Sequence, residues 1–175
     1  MSQRLVASRR SSRVRLSEDE LLNPKMIVKV RGKNEKLNKK ELLIATKYFS
    51  RMLMTERLCK SLSITVESCT KHHCDGSSTW LDDNHRPKEF SIILNSTLNK
   101  KRQLITLAHE IVHVKQNAKG ELKSLLRGNA DRWHGQYIDR DIDYFERPWE
   151  IEAFGREYGM YYTYIQWKKA YKIKF

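Results

Sequence analysis

The sequence predicts a single α+β domain in which a small mixed or antiparallel sheet packs on a long central helix and a second helix at the C-terminal end. Short β-branched segments recur before residue 95, and apolar residues at helical spacing occupy the stretch from about Lys100 to Ala118. The chain has 175 residues, enough for one sizeable core and too few for two ordinary domains. With 39% hydrophobic residues and Trp, Tyr and Phe well represented, the composition is that of a folded chain rather than a disordered one.

Residues 1–22 lack apolar periodicity and are expected to form a basic, mobile arm ahead of a domain spanning residues 23–175. Met26-Ile27-Val28-Lys29-Val30 is a short strand candidate that ends at Arg31-Gly32. A helix should follow, with Asn38 as N-cap and Leu42, Leu43, Thr46, Phe49 and Leu53 at helical spacing, running to about Lys60. Leu62 to Val66 alternates with period two and reads as a strand with one buried face. Asp75-Gly76 supplies turn chemistry before a further strand candidate, Ser77 to Leu81; Asp82 to Lys88 reads as a loop and Phe90 to Leu94 as a strand. In the helix from Lys100 to Ala118, Asn99 or Ser96 can cap the start and Gly120 can end it. On its wheel Leu104, Leu107, Ala108 and Ile111 gather opposite His109 and His113, so the helix's back should pack on the sheet while the histidines face a cleft. Residues 120–147 hold no long apolar period and are expected to form a long loop of the kind that serves as a lid or a binding loop. Pro148 suits the first position of a last helix that continues toward Trp167 and Lys168.

Charge is spread unevenly along the chain. Of the formal net charge of +13, residues 1–60 contribute 16 Lys or Arg against 6 Asp or Glu (+10), and residues 61–175 contribute 18 against 15 (+3). Arg4, Arg9, Arg10, Arg13 and Arg15 precede the first acid, which makes this region the candidate nucleic-acid contact; a solvated basic face is the plain alternative. Cys59, Cys69 and Cys74 are sparse and odd in number, which fits a reducing compartment better than a secreted disulfide scaffold. The longest apolar run near the start is Leu5-Val6-Ala7, too short for a secretory signal, and no stretch reaches membrane-spanning length. The expectation is a cytoplasmic protein; an Arg- and Ser-rich start also has the composition of an organelle transit peptide.

The densest chemistry lies in His109-Glu110-Ile111-Val112-His113. Residues four apart on a helix stack on one face, so both imidazoles can bind one ion. Zinc in that position lowers the pKa of water toward about 7, and Glu110, beside the ion rather than among its ligands, is placed to act as general base. The bland alternative is an exposed helical face with two solvated histidines. A third ligand must come from downstream. The extended pattern with Gly and a third His at fixed offsets fails, because Gln116 and Lys119 hold those positions. His134 is the one histidine after the motif, and Glu150 and Glu152 project about 200° apart on a helix, so one of them can face a metal and the other cannot. Cys69, His72, His73 and Cys74 crowd four metal-binding side chains into six residues; a loop is the better reading, because structural zinc draws on separated pairs.

The segment Leu107 to Gln116, followed by Trp133-x-Gly135 and then by Pro148 to Glu157, resembles small phage-encoded proteins of the zincin metallopeptidase class, over about residues 77–160. That resemblance implies a zincin-like fold with a ligand-bearing C-terminal helix, Zn2+ as cofactor, and a protein or peptide substrate hydrolysed in a host-cell cytoplasm or carried in a virion. In glutamate-liganded members a Glu three residues before a small Ala completes the site, which implies Glu150, three before Ala153, with Glu152 as its neighbour. Phe154 departs from the Asp or Asn usual after that Ala. Similar enzymes pair an extended substrate with the strand preceding the motif helix, here Phe90 to Leu94, although an ordinary internal strand explains that segment equally. Tyr137, Tyr144 and His134 are the candidates to stabilise the transition state's oxyanion. Two other readings stand beside the peptidase: a DNA-associated protease similar in logic to the SprT-like class, motivated by the basic arm, and a non-enzymatic nucleic-acid or virion protein with a structural zinc.

Overall fold

Strand β1 (Ile27–Arg31) leads through Gly32 into helix α1 (Lys39–Leu53), a short helix α2 (Glu56–Lys60) and strand β2 (Ser63–Cys69), and β2 lies parallel to β1. This computed structural model describes residues 26–71, 73–125 and 128–175. The arm expected over residues 1–22, with Arg4, Arg9, Arg10, Arg13 and Arg15, lies outside the described residues, as does His72. Gly32 turns the chain at φ 80°, and a Cβ there would run into the Ser68 carbonyl oxygen, so the position needs glycine on both counts.

Strands β3 (Gly76–Trp80) and β4 (Glu89–Asn95) complete a mixed sheet in the order β1-β2-β4-β3, with β4 parallel to β2 and antiparallel to β3. The expected turn at Asp75-Gly76 therefore does not join sheet neighbours: β4 sits between β2 and β3. The faces explain the order. Ile64 and Val66 of β2 align with Phe90 and Ile92 of β4, all four fully or nearly fully buried, whereas Gly76-Ser77-Ser78-Thr79-Trp80 offers little apolar surface and takes the edge. Being paired on both sides, β4 has no open edge for an extended substrate, which corrects the expectation for Phe90 to Leu94.

Helix α3 (Lys100–Lys119) starts at Asn99, whose side chain accepts from the Arg102 backbone N–H at 2.9 Å, and ends at Gly120 in the left-handed region. Helix α4 (Pro148–Ala170) begins with Pro148 and lies along α3. Because the sheet covers one side of α3 and α4 another, α3 is buried nearly all round, including Gln103, Lys115 and Gln116, while His113 keeps partial exposure. From α4, Ala153, Met160, Tyr164 and Trp167 enter the same core as Leu42, Phe49, Ile64, Ile92 and Leu107. The fully buried Glu41 carboxylate ties three helices together, pairing with Lys168 of α4 at 2.5 Å and with Lys100 of α3.

Two further expectations need correction. The helix expected from Asn38 to about Lys60 is broken at Met54, whose backbone is extended; Thr55 then caps α2 by accepting from the Leu58 N–H. Residues 120–147 are not a structureless loop but hold a three-stranded antiparallel ribbon, β5 (Leu122–Ser124), β6 (Ala130–Trp133) and β7 (Gln136–Asp139), followed by a 3-10 helix at Tyr144–Glu146. His134-Gly135 makes the two-residue turn between β6 and β7 with both residues at positive φ, 45° and 91°.

Candidate active site

The two histidines of α3 bring their Nε2 atoms within 3.1 Å of each other, and Oε2 of Glu150, from the first turn of α4, lies 3.3 Å from that of His109 and 3.4 Å from that of His113. Among the described residues, these three form the cluster whose ligand atoms all fall within 4.8 Å of one another. His109 and Glu150 are buried and His113 is partly so.

The tautomers follow from the groups behind each ring. His109 Nδ1 faces Glu157 Oε2 at 2.9 Å, and His113 Nδ1 faces Gln116 Oε1 at 2.8 Å. A carboxylate only accepts, so His109 donates from Nδ1. The Gln116 amide is oriented by its other end, which donates to the Trp149 carbonyl at 2.9 Å and to Glu152 at 3.1 Å, so its oxygen must accept from His113 Nδ1. Both Nε2 lone pairs then point toward each other and toward Glu150 Oε2, a buried atom without a hydrogen-bond partner among the described residues. Three electron-pair donors this close repel unless a cation stands among them. A proton on His109 can serve, and so can a metal ion; two imidazole nitrogens and a carboxylate oxygen suit a divalent metal well.

The electrostatics carry the same demand. Burial works to lower the His109 pKa, but Glu150, Glu157 and the charge of Glu110 outweigh it and hold the ring up at about 9. For Glu150, burial works to raise the pKa, and His109, His113 and Tyr144 outweigh it, keeping the carboxyl down at about 2. The Tyr144 phenol lies beside Glu150, and burial together with that carboxylate pushes its pKa well above the usual range.

Glu110 is buried on α3 next to His109. Glu152 is held away by Lys115 at 2.7 Å, by Gln116 and by Arg156 at 2.9 Å. Of the three candidates for the oxyanion, Tyr144 is the one brought to the cluster; Tyr137 stands 71% exposed on β7 and His134 sits in the ribbon turn against Trp133. Cys74 Sγ is 3.0 Å from the Gly76 carbonyl, and no metal-capable group forms from Cys69, His73 and Cys74 among the described residues. Sequence reasoning missed Glu157, Gln116 and Phe154, whose ring centroid lies 4.7 Å from that of His109. The available signal was spacing: Glu157 follows Glu150 by two helical turns, and Gln116 follows His113 by three residues.

A helix bearing two facing imidazoles, with a carboxylate from a neighbouring helix and a small mixed sheet beneath, defines a zincin-like protein of the metallopeptidase class. The chain belongs to the peptidase family described as the IrrE N-terminal-like domain, which it matches over residues 59–163. Comparison with curated proteins and with solved structures gave no match. A peptidase family implies protein substrates, and no helix among the described residues is long and apolar enough to cross a membrane.

Proposed function

We propose that this protein is a zinc metallopeptidase that hydrolyses peptide bonds, with His109, His113 and Glu150 as the metal ligands and Glu110 as the general base. The observation that supports the reading is the convergence of His109 Nε2, His113 Nε2 and the buried Glu150 Oε2 on one point, all within 4.8 Å of one another. Zinc held there supplies Lewis acidity, which polarises the scissile carbonyl and brings the pKa of water down toward about 7.

The chain's own residues do the rest. Glu157 and Gln116 accept the Nδ1 protons, which fixes both rings with Nε2 free to ligate and, at His109, raises the ring's basicity. Glu150 is held ionised far below neutrality, so it brings a full negative charge to the metal. The Glu110 carboxylate takes a proton from the attacking water and passes it to the leaving amine nitrogen. The Tyr144 phenol keeps its proton at any working pH, so it can donate a hydrogen bond to the negative oxygen that develops on the carbonyl. Elemental analysis of gently purified protein should find one zinc per chain, and Glu110→Gln should retain that zinc while losing hydrolysis of an unstructured protein substrate. Absence of stoichiometric zinc, or undiminished turnover by the Glu110→Gln variant, overturns the proposal.

A further inference from the structure

The N-terminal half of α4 carries apolar side chains on a face the core does not use. Ile151, Phe154 and Tyr158 follow one another at spacings of three and four and so share that face, whereas the core takes Ala153, Met160, Tyr164 and Trp167 from the other. The 3-10 helix lays two more rings against it. Phe145 lies 5.5 Å from Phe154, Tyr144 lies 6.3 Å from Phe154, and the two are 5.3 Å apart, all between ring centroids. Phe145 is 67% exposed, and Ile151 and Tyr158 are 56% each. The rings of Tyr144, Phe145 and Phe154 are therefore contiguous, with Ile151 and Tyr158 on the same face of α4 at either side of Phe154.

The patch has one neighbour with chemistry. The Phe154 ring meets that of His109 edge-on, and Tyr144 reaches from the patch to Glu150. A side chain of a polypeptide bound at the cluster and directed toward Phe154 would meet Tyr144 and Phe145 as well. We infer that Tyr144, Phe145 and Phe154, flanked on α4 by Ile151 and Tyr158, form a specificity subsite that takes a large apolar or aromatic side chain of the substrate close to the scissile bond. Burying such a side chain removes apolar surface from water on both partners, at about 25 cal/mol per Å². The inference rests on the peptidase reading above and names the substrate class for it.

Two measurements on the full-length chain test the subsite separately from that reading. In the first, zinc-loaded protein digests a mixture of proteome-derived peptides, and the cut sites are aligned. Phe, Tyr, Leu and Met should be enriched at one fixed position near the cut; Phe145→Ala should lower kcat/KM for a Phe-bearing peptide about tenfold relative to its Ala counterpart, and Phe145→Trp should keep the preference. Cleavage with a flat or charged preference overturns the subsite and leaves the peptidase standing. In the second, fluorescence anisotropy compares labelled peptides that differ by Phe or Asp at one position, bound to zinc-loaded Glu110→Gln protein. Tighter binding of the Phe peptide that is lost in the Glu110→Gln, Phe145→Ala double variant supports the subsite even if wild-type protein cuts nothing, in which case the peptidase reading alone fails. Equal binding of the two peptides overturns the subsite.

Discussion

At the scale of single residues, the groups behind the proposed ligands should matter as much as the ligands themselves. Glu157 fixes the His109 ring, so Glu157→Gln, which keeps the shape and drops the charge, should weaken zinc affinity by about 10- to 100-fold, read by competition with a chromophoric chelator. Acid should act on the same ring. With a folded-state pKa of about 9 in the absence of metal, His109 carries a proton that zinc must displace at any lower pH. Apparent zinc affinity should therefore rise from pH 6 toward pH 9 and level off above it, and calorimetry at neutral pH in buffers of different ionisation enthalpy should record proton release. Affinity that is flat across this range would place the titrating proton elsewhere. Burial pushes the Cys59 thiol up to about 11, so it stays protonated at pH 8; iodoacetamide should label the exposed Cys74 in the native protein and reach Cys59 only after unfolding.

At the scale of elements, three helices meet at one buried carboxylate. Glu41→Ala leaves the Lys168 amine, largely buried, without its partner and should destabilise the fold by about 3 kcal/mol, measured by urea unfolding. The elements also divide by how far local chemistry could reveal them. The helices α3 and α4 were legible because a cap, a stop and an apolar repeat agree: Asn99, Gly120 and Pro148 sit where those rules put them. The ribbon of β5 to β7 was not, since strands of three or four residues show too few alternations to betray a period. Strand order was hidden for another reason. Asp75-Gly76 promises a local hairpin, but Phe90, Ile92 and Leu94 match the buried face of β2 better than β3 can, and that pairing is non-local. In the site, the spacing of His109 and His113 is visible in the sequence, whereas Glu150 needed a family resemblance to be set apart from Glu152. Spacing puts Gln116 beside His113 and Glu157 on the face of Glu150, but that Glu157 meets His109 depends on how α4 lies along α3.

At the scale of the whole molecule, the chain separates a nearly neutral portion that carries the His109, His113 and Glu150 cluster from a strongly basic beginning, +3 over residues 61–175 against +10 over residues 1–60. If that beginning contacts nucleic acid, the full chain should bind random duplex DNA with an affinity that falls steeply with salt. Removing residues 1–22 should flatten that dependence by about 0.9 logarithmic units for each phosphate the arm had neutralised, and an unchanged slope would assign the binding to other residues.

Helix α4 is one rod with two duties. Near Pro148 it presents Glu150 and Glu157 to the histidines, and farther along it drives Met160, Tyr164 and Trp167 into the core. Stripping the ion with a chelator should accordingly not melt the rod evenly. Amide hydrogen exchange should quicken over its leading turns and fade before Tyr164, so that the far end stays anchored while the near end is set loose.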